Sequence, residues 1–126
     1  GTIMAGGNGT ADSITGTAVT YAGGGGGSGF TSAGSGGTGG GGNGASPGGT
    51  TTSGTDGLGG GGGGASFSGG SRPPAGEGGD GAIILRVLTT DYAGGAVTTG
   101  SPSITTDGSY TVIEWSTGAM SGTYVT

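Results

Sequence analysis

GGGGGSGFTSAGSGGTGGGG, residues 23–42, and GLGGGGGGASF, residues 57–67, decide what kind of fold this chain can have. Between residues 23 and 81 lie 30 of the chain's 41 glycines, gathered in the runs 23–27, 39–42 and 59–64 and the interrupted run 76–81. Glycine is a weak former of helix and strand and brings no side chain to bury. The tract is therefore either a flexible linker, as glycine-rich coils are, or a structure built from bare backbone. Collagen is excluded, because no Gly-X-Y triplet persists and the chain has only four prolines.

The backbone-only alternative is a bundle of polyproline-II-like rods made by glycine. Such a rod rises about 3.1 Å per residue with three residues per turn and no internal hydrogen bonds. Each N–H and C=O points outward and must find a neighbouring rod or water. Only glycine lets rods approach that closely, and its Cα–H groups add weak C–H···O contacts. An outer rod needs glycine only on its packed sides, so interruptions such as Ser28, Ser35 and Thr38 are tolerated. Ordering the backbone costs about 1–2 kcal/mol per residue, which shared hydrogen bonds must offset. The regular run lengths favour the ordered lattice over the linker.

Composition narrows the function. A chain of 126 residues makes at most one ordinary domain. With 28% hydrophobic and 7% charged residues it has neither a full side-chain core nor the charge density of a disordered chain. A net charge of −5 and only two basic residues exclude phosphate neutralisation, so no nucleic acid partner is expected. No apolar run approaches the roughly 20 residues of a membrane span, so no membrane insertion is expected. Without cysteine or histidine there is no thiol or imidazole chemistry and no zinc site of the usual kind.

On either side of the tract the chain reads as β. Gly6-Gly7-Asn8-Gly9 is a turn signal, and residues 13–21 alternate loosely through Ile14, Val19 and Tyr21. Residues 82–88, AIILRVL, predict a strand buried on both faces apart from Arg86. Ile104-Thr105-Thr106, a turn at Asp107-Gly108 and residues 109–115 predict a hairpin. Thr123, Tyr124, Val125 and Thr126 form a last short strand and a candidate assembly edge. The expected organisation is short strands over 1–22, the glycine lattice over 23–81 and an antiparallel segment over 82–126. The fold class is all-β and irregular, with essentially no helix.

Catalytic motifs are absent. GxGxxG recurs throughout the tract and means nothing without a strand and helix around it. The GEGGDGA stretch at 76–82 lacks the tandem copies that a calcium-binding glycine–aspartate repeat needs, so Glu77 and Asp80 read as turn residues. Serines and threonines have no histidine to activate them. The chain is expected not to be an enzyme, with no cofactor and no metal. If successive rods run up and down, the loops at 30–35 and 65–75 share one end and the loop at 45–56 lies at the other. That gathers Phe30, Phe67 and Arg72, residue types that anchor recognition, into a candidate binding patch. In the alternative the phenylalanines merely cap the lattice.

The segments SITGTAVTYAGGGGGSG (13–29), GTDGLGGGGGGA (54–65), GGDGAIILRV (78–87), TTDGSYTVIEWS (105–116) and SGTYVT (121–126) resemble glycine-rich modules of bacteriophage tail-fibre and related virion surface proteins. That resemblance implies a polyglycine-II sandwich at an extracellular or virion tip, with loop ends recognising a host surface glycan or outer-membrane protein. Two features depart from it: SGTYVT leads such modules but stands last here, and the loops are short. Both point to a second expectation, a self-assembling filament subunit whose end strand completes another copy.

Overall fold

Among the residues that the computed structural model describes, 4–71, 73–92 and 100–116, the large side chains buried most completely are Thr111, Val112 and Ile113. They lie on the central strand of the larger of two small antiparallel sheets. The first sheet pairs β1 (Thr10–Asp12) with β2 (Val19–Tyr21). The second is built from β3 (Ile83–Leu88), β4 (Ser103–Asp107) and β5 (Tyr110–Trp115) in the order β3-β5-β4. No described residue is helical, so the chain is all-β in class.

The β4–β5 hairpin stands where the alternation of residues 104–115 predicts it. Its turn falls one residue later than the expected Asp107-Gly108: Asp107 ends β4 and pairs with Tyr110, which leaves Gly108-Ser109 as a two-residue loop. Gly108 takes the left-handed φ of +56° at the first loop position, a place that favours glycine. The strand over 82–88 departs from expectation. Among the described strands it has only β5 beside it, Ile83 and Leu88 at its ends are exposed, and Arg86 is partly buried. The central one of these strands is β5, and its successive residues Thr111 and Val112, which point to opposite faces, are both buried.

The glycine tract is joined by main-chain hydrogen bonds that recur every third residue. Gly23, Gly26 and Gly29 donate to the carbonyls of Gly39, Gly42 and Ala45. Gly42 and Ala45 donate in turn to Gly61 and Gly64, and those two donate to Gly23 and Gly26. In each pair the residue numbers rise together, so segments 22–29, 39–45 and 59–65 run parallel. The other segments oppose them: Gly34 and Gly37 donate to Gly27 and Gly24, Thr52 and Thr55 to Asn43 and Gly40, and Gly76 and Gly79 to Gly63 and Gly60.

Two features of this network correct the sequence reading. Gly6-Gly7-Asn8-Gly9 is no turn: Gly6 and Gly9 donate to Ser35 and Thr38, and Gly24 donates to Gly7. Residues 51–57 are likewise no loop, since Gly54 and Gly57 donate to Glu77 and Asp80 besides the bonds from Thr52 and Thr55. Where an outer segment lacks a main-chain acceptor, side chains supply one. Asn8 Oδ1 accepts from Thr38, Asn43 Oδ1 from Gly36, Ser53 Oγ from Glu77 and Asp56 Oδ1 from Asp80.

Candidate functional site

Because 51–57 runs back through the network, the connection at 46–50 lies at the same end as those at 30–32 and 66–71, not at the opposite one. Segments 22–29 and 59–65 are parallel neighbours and leave the network side by side. Phe30 follows the first and Phe67 the second, and they are 89% and 65% exposed. Met4, whose carbonyl accepts from Gly27, reaches the same end and is 64% exposed. Beyond Phe67 the chain turns at Gly69-Gly70, both left-handed, inside a bridge between Ser68 and Ser71. Phe30 and Phe67 thus stand at one end with Met4, which sequence reasoning missed. Arg72 and the edge residues Thr123, Tyr124, Val125 and Thr126 lie outside the described residues.

The opposite end is polar and cross-linked. Arg86 on β3 donates from Nη2 to Asp107 Oδ2 at 2.7 Å and from Nη1 to the Ile14 carbonyl at 3.0 Å. Its guanidinium lies 4.3 Å from the centre of the Tyr110 ring. The alternation of an antiparallel ladder explains the grouping: Arg86, Leu88, Tyr110 and Asp107 share one face of the sheet by register. The turn between β1 and β2 docks on that face, with Gly16 set against the Asp107 side chain at a φ of +97°. The only charge in an apolar run was the signal for Arg86. Its partners are too far away in sequence to be read from it.

Between this hairpin, the turn at Leu58 and the start of β3 lies a pocket of about 390 Å³, lined by Asp12, Ile14, Tyr21, Leu58, Ala82 and Ile84. Burial first, then the charges of Glu114 and Asp12, push the Tyr21 hydroxyl above the ordinary tyrosine value, against a hydrogen bond with the Thr15 side chain. The raised value favours the neutral phenol in the folded state. Tyr21 therefore adds stability that is complete below its unfolded value of about 10 and is lost as pH rises through the folded one. In an alkaline titration followed at 295 nm, a Tyr21→Phe variant should lack the late-ionising part of the wild-type curve. An unchanged curve shape would contradict this.

No group of three or more His, Cys, Asp or Glu able to hold a metal gathers among the described residues. No helix among them is long and apolar enough to cross a membrane. Comparison with protein-family models, with curated proteins and with solved structures gives no match.

Proposed function

We propose that this chain is a non-enzymatic adhesive module of an extracellular or virion fibre, in which a polyglycine-II-like lattice holds recognition loops at one tip. The lattice reading rests on period. Main-chain bonds step by three residues, as a helix with three residues per turn requires. Several residues other than glycine in the outer segments are also spaced by three: Ala5 and Asn8, Ser35 and Thr38, Thr52 and Thr55, Ser53 and Asp56, Glu77 and Asp80. The neighbour relations fit two rows of rods, with 4–9, 22–29, 59–65 and 76–80 in one and 33–38, 39–45 and 51–57 nested against it.

The observation that carries the adhesive reading is the exposure of Phe30 and Phe67 at the ends of two parallel, adjacent segments. Exposed aromatics cost solvation in an isolated molecule and are what a recognition surface uses as anchors. Their partner in this reading is a host surface glycan or an outer-membrane protein. Labelled protein should bind candidate host cells, and a Phe30→Ala/Phe67→Ala variant should lose about tenfold in affinity. Amide exchange across residues 23–81 should be slow and alike in both proteins. Equal binding by the variant would refute the tip, and unprotected amides would return the tract to a linker.

A second reading has its own observation. Ser103, Ile104, Thr105 and Thr106 of β4 are exposed, and no described strand pairs with the outer edge of β4. Such an edge accepts an added strand, which would make the chain a filament subunit. Long regular fibres in electron micrographs of the purified protein would support this reading over the first.

A further inference from the structure

We propose that the pocket between the β1–β2 hairpin, Leu58 and β3 binds an alkylammonium group, either a small free amine or the lysine side chain of another protein. Its volume of about 390 Å³ falls among ligand pockets. Ile14, Leu58, Ala82 and Ile84 give it an apolar wall suited to a short methylene chain. Its polar contribution is one-signed. Asp12 lines the wall and accepts from the Ile14 N–H through Oδ1 at 2.7 Å, which leaves Oδ2 as an acceptor for a ligand. Glu114 is the cross-strand partner of Ile84, on the same sheet face, and its charge is felt at Tyr21 along with that of Asp12.

No described cation offsets that charge in the pocket. Arg86, the basic residue on this sheet face, is committed to Asp107 and to the Ile14 carbonyl. Tyr21 supplies an aromatic ring, a surface that attracts ammonium groups. A neutral apolar ligand would satisfy the wall but not the Asp12 carboxylate, and a hydrated metal ion would satisfy the carboxylate but not the wall. The chain has no lysine, since both of its basic residues are arginines. A lysine occupant therefore lies outside these 126 residues.

The test is an NMR titration of the ¹⁵N-labelled chain with n-butylammonium chloride at neutral pH and fixed ionic strength. N-acetyl-lysine methylamide is run as the lysyl arm and n-butanol as the neutral control. Amides of Tyr21, Ala82 and Ile84 should shift saturably, with a dissociation constant on the order of 1–10 mM for a ligand of this size. Butanol should bind at least several-fold more weakly. Asp12→Asn keeps the Oδ1 acceptor and removes the charge, and should weaken butylammonium about two- to fivefold, as befits an exposed ion pair. Adding Glu114→Gln should weaken it further, while the variant spectra report that the fold persists. If the lysine derivative matches butylammonium, the source is a protein lysine; if only butylammonium binds, it is a free amine. Non-saturating shifts, equal affinity for butanol, or a double variant that binds as the wild type does would overturn the proposal.

Discussion

Gly63→Ala is expected to destabilise the protein by about 3 kcal/mol, although it adds a single methyl group. A Cβ built at Gly63 overlaps the main-chain carbonyl of Asn43 in the adjacent segment. Backbone cannot rotate out of the way as a flexible side chain can, so one segment must shift. Gly63 also donates to Thr52 and accepts from Gly76, and the shift strains both bonds. Overpacking costs about 1–3 kcal/mol, and each weakened hydrogen bond about 1 kcal/mol. The smaller entropy of an unfolded alanine chain returns only about 0.4–1 kcal/mol. Gly26→Ala should behave alike, because its methyl would overlap the Gly34 carbonyl. Gly7 is the control: nothing lies within 4 Å of its built Cβ and its φ is not left-handed. Gly7→Ala should leave stability unchanged or raise it by about 0.4–1 kcal/mol. Urea denaturation of the three variants decides the matter. A Gly63→Ala variant as stable as Gly7→Ala would mean that the segments do not pack as described.

The same contrast explains what the sequence could and could not reveal. Segments 22–29, 39–45 and 59–65 each have four hydrogen-bonded neighbours, and they hold the pure runs 23–27, 39–42 and 59–64. At every glycine of these runs except Gly59 a built Cβ would come within 3.0 Å of another segment, so run purity reports close packing and is visible in the sequence. Segment 51–57 has fewer neighbours and needs glycine only where it is packed. A methyl at Gly54 would meet the Gly60 carbonyl, whereas Thr52 and Ser53 are exposed. Its composition therefore imitates a loop, and the error moved the 46–50 connection to the wrong end. Gly6-Gly7-Asn8-Gly9 misled for the same reason, because glycine and asparagine are turn residues as well and here lie in an outer hydrogen-bonded segment. The β4–β5 hairpin was legible because its alternation and its glycine turn are local. The burial of β5 in place of β3 was not, because β3 joins β5 through pairings 22 or more residues apart, such as Val112 with Arg86. Of the pocket nothing was legible, since its walls come from the hairpin, the turn at Leu58 and β3.

Removing the Arg86 guanidinium should cost about 2–4 kcal/mol and release the β1–β2 hairpin before the larger sheet melts. The figure follows from exposure. A fully buried pair that loses one partner costs about 3–5 kcal/mol, because the remaining charge is stranded away from water. Here the side chains are 25% exposed at Arg86 and 42% at Asp107, so a stranded Asp107 carboxylate can rehydrate. The loss is then nearer that of one charge-assisted hydrogen bond, about 1.5–3 kcal/mol, with about 0.5–1 kcal/mol more for the Tyr110 ring. Arg86→Met keeps most of the stem and removes both forks. Arg86→Lys keeps the charge but cannot reproduce the planar fork that spans Asp107 and the Ile14 carbonyl, and should recover less than half of the loss. The two bonds have different readouts. The Asp107 pair is screened by salt, so the gap between wild type and Asp107→Asn should narrow at 1 M NaCl. The bond to the Ile14 carbonyl ties the hairpin to β3, so amide exchange at Thr20 and Tyr21 should quicken in Arg86→Met more than in Asp107→Asn. The hairpin also carries Asp12, Ile14 and Tyr21 to the pocket, so Arg86→Met should weaken butylammonium binding even though it removes a positive charge nearby. Electrostatics alone predicts the opposite sign. Tighter binding in Arg86→Met, with unchanged exchange in the hairpin, would show that Arg86 balances charge there and does not hold the hairpin in place.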